Sequence, residues 1–184
     1  MGLFSIFKKK VKHDQASTIL WEDDYLMIEI LPIDNLEHAL KETKRVNEFG
    51  QEHFDGNGFT NITEIQGGPK ATQELSIKLT DLTDTIEEAG MKRIQKVFYE
   101  GKPIDSTETI VYGENKNGLY IEQENGTVRA VWLAFYNRSR LPNSVFVNGL
   151  KAIGNKFEMI MVDWNRGDIV DLTDEIGIKK YLEN

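Results

Sequence analysis

The chain has no cysteine among its 184 residues. Disulfides, thiolate metal sites, iron–sulfur clusters and a cysteine nucleophile are therefore excluded. Histidine is also scarce, with 3 in the chain, at His13, His38 and His53. The sequence contains no G-x-S-x-G nucleophile elbow, no G-x-x-x-x-G-K phosphate loop and no G-x-G-x-x-G following a strand. Proline is rare, at 4 residues, so the chain has few obligatory breaks.

What is present is an ordinary globular composition, 40% hydrophobic and 28% charged. The 9 Phe, 6 Tyr and 3 Trp can build a substantial core. The length suits one full domain or two small ones. Charge is lopsided: 22 basic against 30 acidic residues give −8. Setting aside Lys8, Lys9, Lys10 and Lys12 leaves 18 basic residues and a balance of −12. Such a body repels nucleic acid and anionic membrane and attracts basic partners.

The N-terminus, "MGLFSIFKKKVKHD", stands apart. Its charges follow its apolar residues, the reverse of a secretory signal, and the apolar run is too short to span a membrane. Residues 1–14 are expected to form a flexible basic and apolar tail. The alternative is a weak surface anchor, with Leu3, Phe4 and Phe7 dipping into a membrane while Lys8, Lys9 and Lys10 meet anionic lipid.

Residues 15–184 read as a single α+β domain. Strands are expected on either side of Asp23-Asp24 within 18–31, with Tyr25, Met27, Glu29 and Leu31 sharing one face. Asp34 and Glu37 have capping-box spacing, and apolar positions recur helically from Asn35 to near Phe54. Strands are predicted at 59–65, 73–79 and 91–99, with a short helix over 82–89 ending at Gly90. Segments 107–112, 119–124 and 127–136 form a meander, its second turn marked by Asn125-Gly126. A helix from Pro142 to Ile153 should end at Gly154. Strands at 157–162 and 168–172 flank a turn at 164–167, and Asp174 caps a last helix through Leu182. The predicted architecture is an antiparallel meander sheet with one long helix in the N-terminal half and two or three short helices packed on one face. The tetrapeptide Asp-Leu-Thr-Asp, at 81–84 and 171–174, raises the alternative of two similar halves, about 15–100 and 101–184.

Candidate chemistry is thin. His38 and His53 are fifteen residues apart, roughly 22 Å along a continuous helix, too far to share an ion. Asp55-Gly56-Asn57 opens like a calcium loop, but Phe59 occupies the next ligand position. No metal or cofactor is implied. Contact residues are more legible. Tyr136, Arg138 and Arg140 end an aromatic strand, Trp164 and Arg166 share a turn, and His53 and Asp55 stand at a helix end. Trp, Tyr and Arg are the residues most enriched at interface hot spots. These features point to a non-enzymatic, cytoplasmic protein-interaction domain of bacterial type with a basic protein partner. Its profile is that of a small acidic immunity protein that blocks a toxin. The alternatives are a small hydrolase-like enzyme using His53 or His38 as base, and a peripheral membrane adaptor working through residues 1–12.

Overall fold

The computed structural model describes residues 17–99, 102–104, 109–114, 117–136 and 143–183. The tail and its membrane-contact candidates, together with Arg138 and Arg140, lie outside the described residues. Within them the chain is α+β, with nine strands and four helices. The strands are β1 (Ser17–Leu20), β2 (Ile28–Pro32), β3 (Lys96–Tyr99), β4 (Lys102–Ile104), β5 (Thr109–Glu114), β6 (Asn117–Glu124), β7 (Thr127–Phe135), β8 (Met159–Asp163) and β9 (Asp168–Asp171). The helices are α1 (Leu36–Glu52), α2 (Leu79–Glu88), α3 (Asn143–Phe157) and α4 (Glu175–Glu183).

The main sheet has six antiparallel strands in the order β5-β6-β7-β2-β8-β9. The β6–β7 hairpin turns where its residues demand, since Asn125 and Gly126 both take positive φ, 53° and 78°. A second sheet, β1-β3-β4, includes one parallel pair, β1 with β3. Strand β2, from the first third of the chain, sits between β7 and β8. A cut near residue 100 would therefore split the main sheet. The two Asp-Leu-Thr-Asp copies also occupy different structures: 81–84 lies inside α2, whereas 171–174 runs from the last residue of β9 through the turn before α4.

Alternation along the strands sorts their side chains onto two faces. Ile28 and Ile30 of β2, Leu119 and Ile121 of β6, Val131 and Leu133 of β7, and Met159 and Met161 of β8 form one core with α2, α3 and α4. Each such buried side chain contributes about 1.5–3 kcal/mol. The three short helices share this face. The long helix α1 lies on the other, over Leu31, Ile160, Val162 and Trp164. The small sheet covers the rest of that second face, over Val111, Tyr120, Trp132 and Ala134.

Several local expectations are corrected. Asp34 does not cap α1; it lies in a 3-10 turn (Ile33–Asn35) and binds Lys70 Nζ at 2.9 Å. Residues 59–65 are not a strand. Phe59 makes one isolated bridge, to Phe54, and the backbone of the following segment is held by side chains of α1 instead. Nor are residues 73–79. Residues 72–75 form a 3-10 turn and Ser76 takes φ 51°, so only Lys78 bridges the sheet, opposite Thr127. Residues 91–95 precede β3 rather than belonging to it. Helix α3 does not stop at Gly154 but runs through it to Phe157. A Cβ at Gly154 would come within 2.4 Å of the Leu172 backbone, so glycine is there for close packing, not for a stop.

Candidate functional site

An open apolar feature lies on the α1 side of the main sheet. It is a cleft of about 780 Å³ between the C-terminal half of α1 and the segment 59–65. Val46, Phe49, Phe54, Phe59 and Ile62 line it together with Met27 and Trp164, and the Phe54 and Phe59 rings pack against each other, 5.5 Å between centroids. Phe54, Phe59 and Ile62 are 53%, 70% and 91% exposed. Large apolar side chains grouped around a concavity mark contact sites more often than chance exposure does.

The outer wall has no regular secondary structure, so its backbone groups need other partners. Glu42, buried on α1, supplies them. One oxygen accepts the Gln66 backbone N–H at 2.6 Å, and both are gripped by Arg45, at 2.8 and 2.7 Å. Arg45 also donates to Thr63 Oγ1 and to the Glu64 carbonyl, at 2.8 and 2.6 Å. The guanidinium holds the Glu42 carboxyl below the usual carboxylate range. His38 Nε2 lies 2.9 Å from the Gln66 carbonyl oxygen. At the far end of the segment, Asn35 bonds both the N–H and the C=O of Lys70, at 3.1 and 2.8 Å. The fit leaves no room at Gly68, where a Cβ would lie 2.4 Å from Asn35 Oδ1.

A second hollow, about 380 Å³, adjoins the cleft and shares Met27, Ile65 and Trp164 with it. Glu29 lies in this hollow with Tyr25, Lys70 and Arg129. It projects from β2 opposite Trp132 of β7 and Val162 of β8, on the face that α1 and the small sheet divide. Burial holds its carboxyl above the usual range, and the Trp164 indole N–H, donating to Oε2 at 3.2 Å, opposes that only in part.

The contact candidates read from sequence are scattered. Trp164 is only 4% exposed, its backbone N–H bonded to the Met27 carbonyl at 2.9 Å and its indole edge shared by cleft and hollow. Arg166 points away, pairing with Asp168 at 2.9 Å and lying over the Tyr181 ring. Tyr136 stands exposed just after β7. His53 packs its ring on Phe49, 4.2 Å between centroids. Asp55 Oδ1 accepts the N–H groups of Asn57 and Gly58 at 2.8 and 3.0 Å, and those bonds lower its carboxyl pKa. Within 48–59, Phe49, Phe54 and Phe59 line the cleft, whereas His53 and Asp55 are not among its lining residues. Neither His38 nor His53 hydrogen-bonds a carboxylate among the described residues.

Sequence reasoning missed Glu29, Ile62 and Ile65. The signal for Glu29 was present: a lone carboxylate in Leu26–Leu31, where every other residue is apolar. No helix among the described residues is long and apolar enough to cross a membrane. Compared with protein-family models, curated proteins and solved structures, the chain matches none.

Proposed function

We propose that the protein is an acidic interaction domain whose cleft between α1 and residues 59–65 receives an apolar segment of a basic protein partner. The observation that carries this reading is the exposure of Phe54, Phe59 and Ile62 around one concavity. Glu48, Glu52 and Asp55 are exposed on the same stretch of chain, and the whole body is negative. That field favours a partner whose apolar residues are flanked by lysine or arginine, and it speeds encounter more than it deepens affinity. An immunity-type inhibitor that blocks a basic toxin is the concrete form of this function.

The test is affinity capture from the native host with the full chain and with Ile62→Asp, followed by cross-linking to map the contact. The reading expects a salt-sensitive partner that Ile62→Asp fails to retain, cross-linked at the cleft through an apolar and basic segment. Equal retention by both proteins, or cross-links confined to another face, would overturn it.

A further inference from the structure

Glu29 is an unusual residue to find at the seam of a sheet. Glu29 is partly buried, and a carboxylate drawn even partly out of water is normally matched by cations or by several donors. An ionised carboxylate has about four acceptor positions. Here Oε2 takes one hydrogen bond, from Trp164, and Oε1 takes none from the described residues. The strands on either side place Trp132 and Val162 beside it, neither of which offers it a charge. The two cations that line the hollow are engaged elsewhere. Lys70 is 2.9 Å from Asp34, and Arg129 is 3.8 Å from Glu124. The carboxylate left without a cation stands in the hollow that adjoins the apolar cleft.

We propose that Glu29 is the cation-binding subsite of the cleft. It receives an ammonium or guanidinium group carried on an aromatic or aliphatic body, and that body lies in the larger cleft against Phe54 and Phe59. Trp164 positions the carboxylate by holding Oε2, which leaves Oε1 for the ligand. The Trp164 indole, Met27 and Ile65 form the shared wall across which the two halves of the ligand are joined. This rests on the interaction reading above and sharpens it: the partner's docking segment has a lysine or arginine immediately beside its apolar anchor.

The probes are 4-phenylbutylammonium, 4-phenylbutanol and 4-phenylbutyrate, which share one apolar body and differ in charge. Each is titrated into the full chain while the indole N–H signals of its tryptophans are followed by NMR. The ammonium is expected to bind at least about tenfold more tightly than the alcohol, which corresponds to ~1.4 kcal/mol. The butyrate is expected to bind more weakly than either. In Glu29→Gln, which keeps the shape and can still accept from Trp164, the ammonium's advantage disappears and the alcohol binds as before. Glu88→Gln, on α2 across the sheet, keeps the advantage and so controls for the general negative field. Equal affinity of ammonium and alcohol for the unaltered chain would overturn the subsite, as would an advantage that survives Glu29→Gln or a failure of all three probes to bind. The interaction reading would still stand if Ile62→Asp lost the captured partner, so the two can fail separately.

Discussion

The two faces of the six-stranded sheet are covered in different ways. On one, α2, α3 and α4 lie over a largely apolar surface whose polar side chains are partnered, among them the buried Tyr181 hydroxyl donating to Asp163 at 2.7 Å. Tyr112 donates to Glu87 at 2.6 Å, and Lys156 reaches Thr85 at 2.9 Å. On the other, α1 covers the β2–β8–β9 side and the small sheet covers the β5–β6–β7 side. A face with one cover becomes a core. A face with two covers keeps a seam, and backbone and side chains at a seam must find partners one by one. Glu29 stands on that seam, and the segment 59–71 lies along it, tied down by Glu42, Arg45 and Asn35. Pockets form most readily where packed layers fail to meet. The structure places both the cleft and the unpaired carboxylate there.

If the comparison holds, mutations on the two faces differ in kind. The largest stability loss belongs to the sealed face. Leu150 on α3 is fully buried in the main core. Leu150→Ala should cost about 2–5 kcal/mol, measured as a lowered urea midpoint with an unchanged slope. A loss well under 1 kcal/mol would mean that this face is loosely packed and the contrast is false.

The next largest effect lies at the clamp beneath the seam. Glu42→Gln removes the charged partner of Arg45, and the bonds at stake are worth about 1.5–3 kcal/mol. Hydrogen exchange should rise at the Gln66 amide while that of the β6–β7 hairpin stays slow. The pH dependence follows from the lowered Glu42 carboxyl. Its contribution is complete above the ordinary carboxylate value and fades as pH falls through the depressed folded value. Wild type and Glu42→Gln should therefore converge in stability on acidification.

The contrast between the faces also explains what could be read from sequence. The β6–β7 hairpin was legible because Asn-Gly fixes its turn locally. The start of α4 was legible because Asp174 caps it: its carboxylate accepts the Ile176 N–H at 3.0 Å, within two residues. The meander β5–β6–β7 and the strands β8 and β9 followed from runs of strand-forming residues between turn signals. The seam did not. Its residues come from 25–31, 46–72, 129 and 164–165, and only the sheet order brings them together. Leu75, Ile77 and Leu79 alternate as in a strand, yet the backbone there closes a 3-10 turn and a single bridge, and the backbone of 60–66 is bonded to His53 and to side chains of α1. Local pattern cannot register a competition settled by residues elsewhere in the chain.

Glu29→Gln tests the seam in the opposite direction. Burial raises the Glu29 carboxyl, so the folded chain holds that proton more tightly than the unfolded chain does. The residue's stabilising contribution is complete below the unfolded value and is lost as pH rises through the raised folded value. The uncharged variant does not suffer that loss. Its melting temperature should therefore exceed that of wild type at neutral pH, with the gap closing on acidification. Tyr25, Lys70, Arg129 and Trp164 line the same hollow and remain in place in both proteins. A variant less stable than wild type at neutral pH would show that Glu29 serves the fold. Greater stability together with weaker cation binding is the signature of a charge kept for binding.

The smallest stability effect belongs to Ile62, which is 91% exposed at the outer wall of the cleft. Replacing an exposed side chain away from caps, turns and ion pairs changes stability by about 0.5 kcal/mol or less. Ile62→Asp should thus melt with wild type while failing to retain the partner, since an aspartate in the wall leaves an unpaired charge wherever the partner's apolar segment lies. The comparison breaks if Ile62→Asp destabilises the fold by more than ~1 kcal/mol. Ile62 would then be making contacts in solution that bury it, and the second face would be a closed core like the first, with no seam for a ligand to enter.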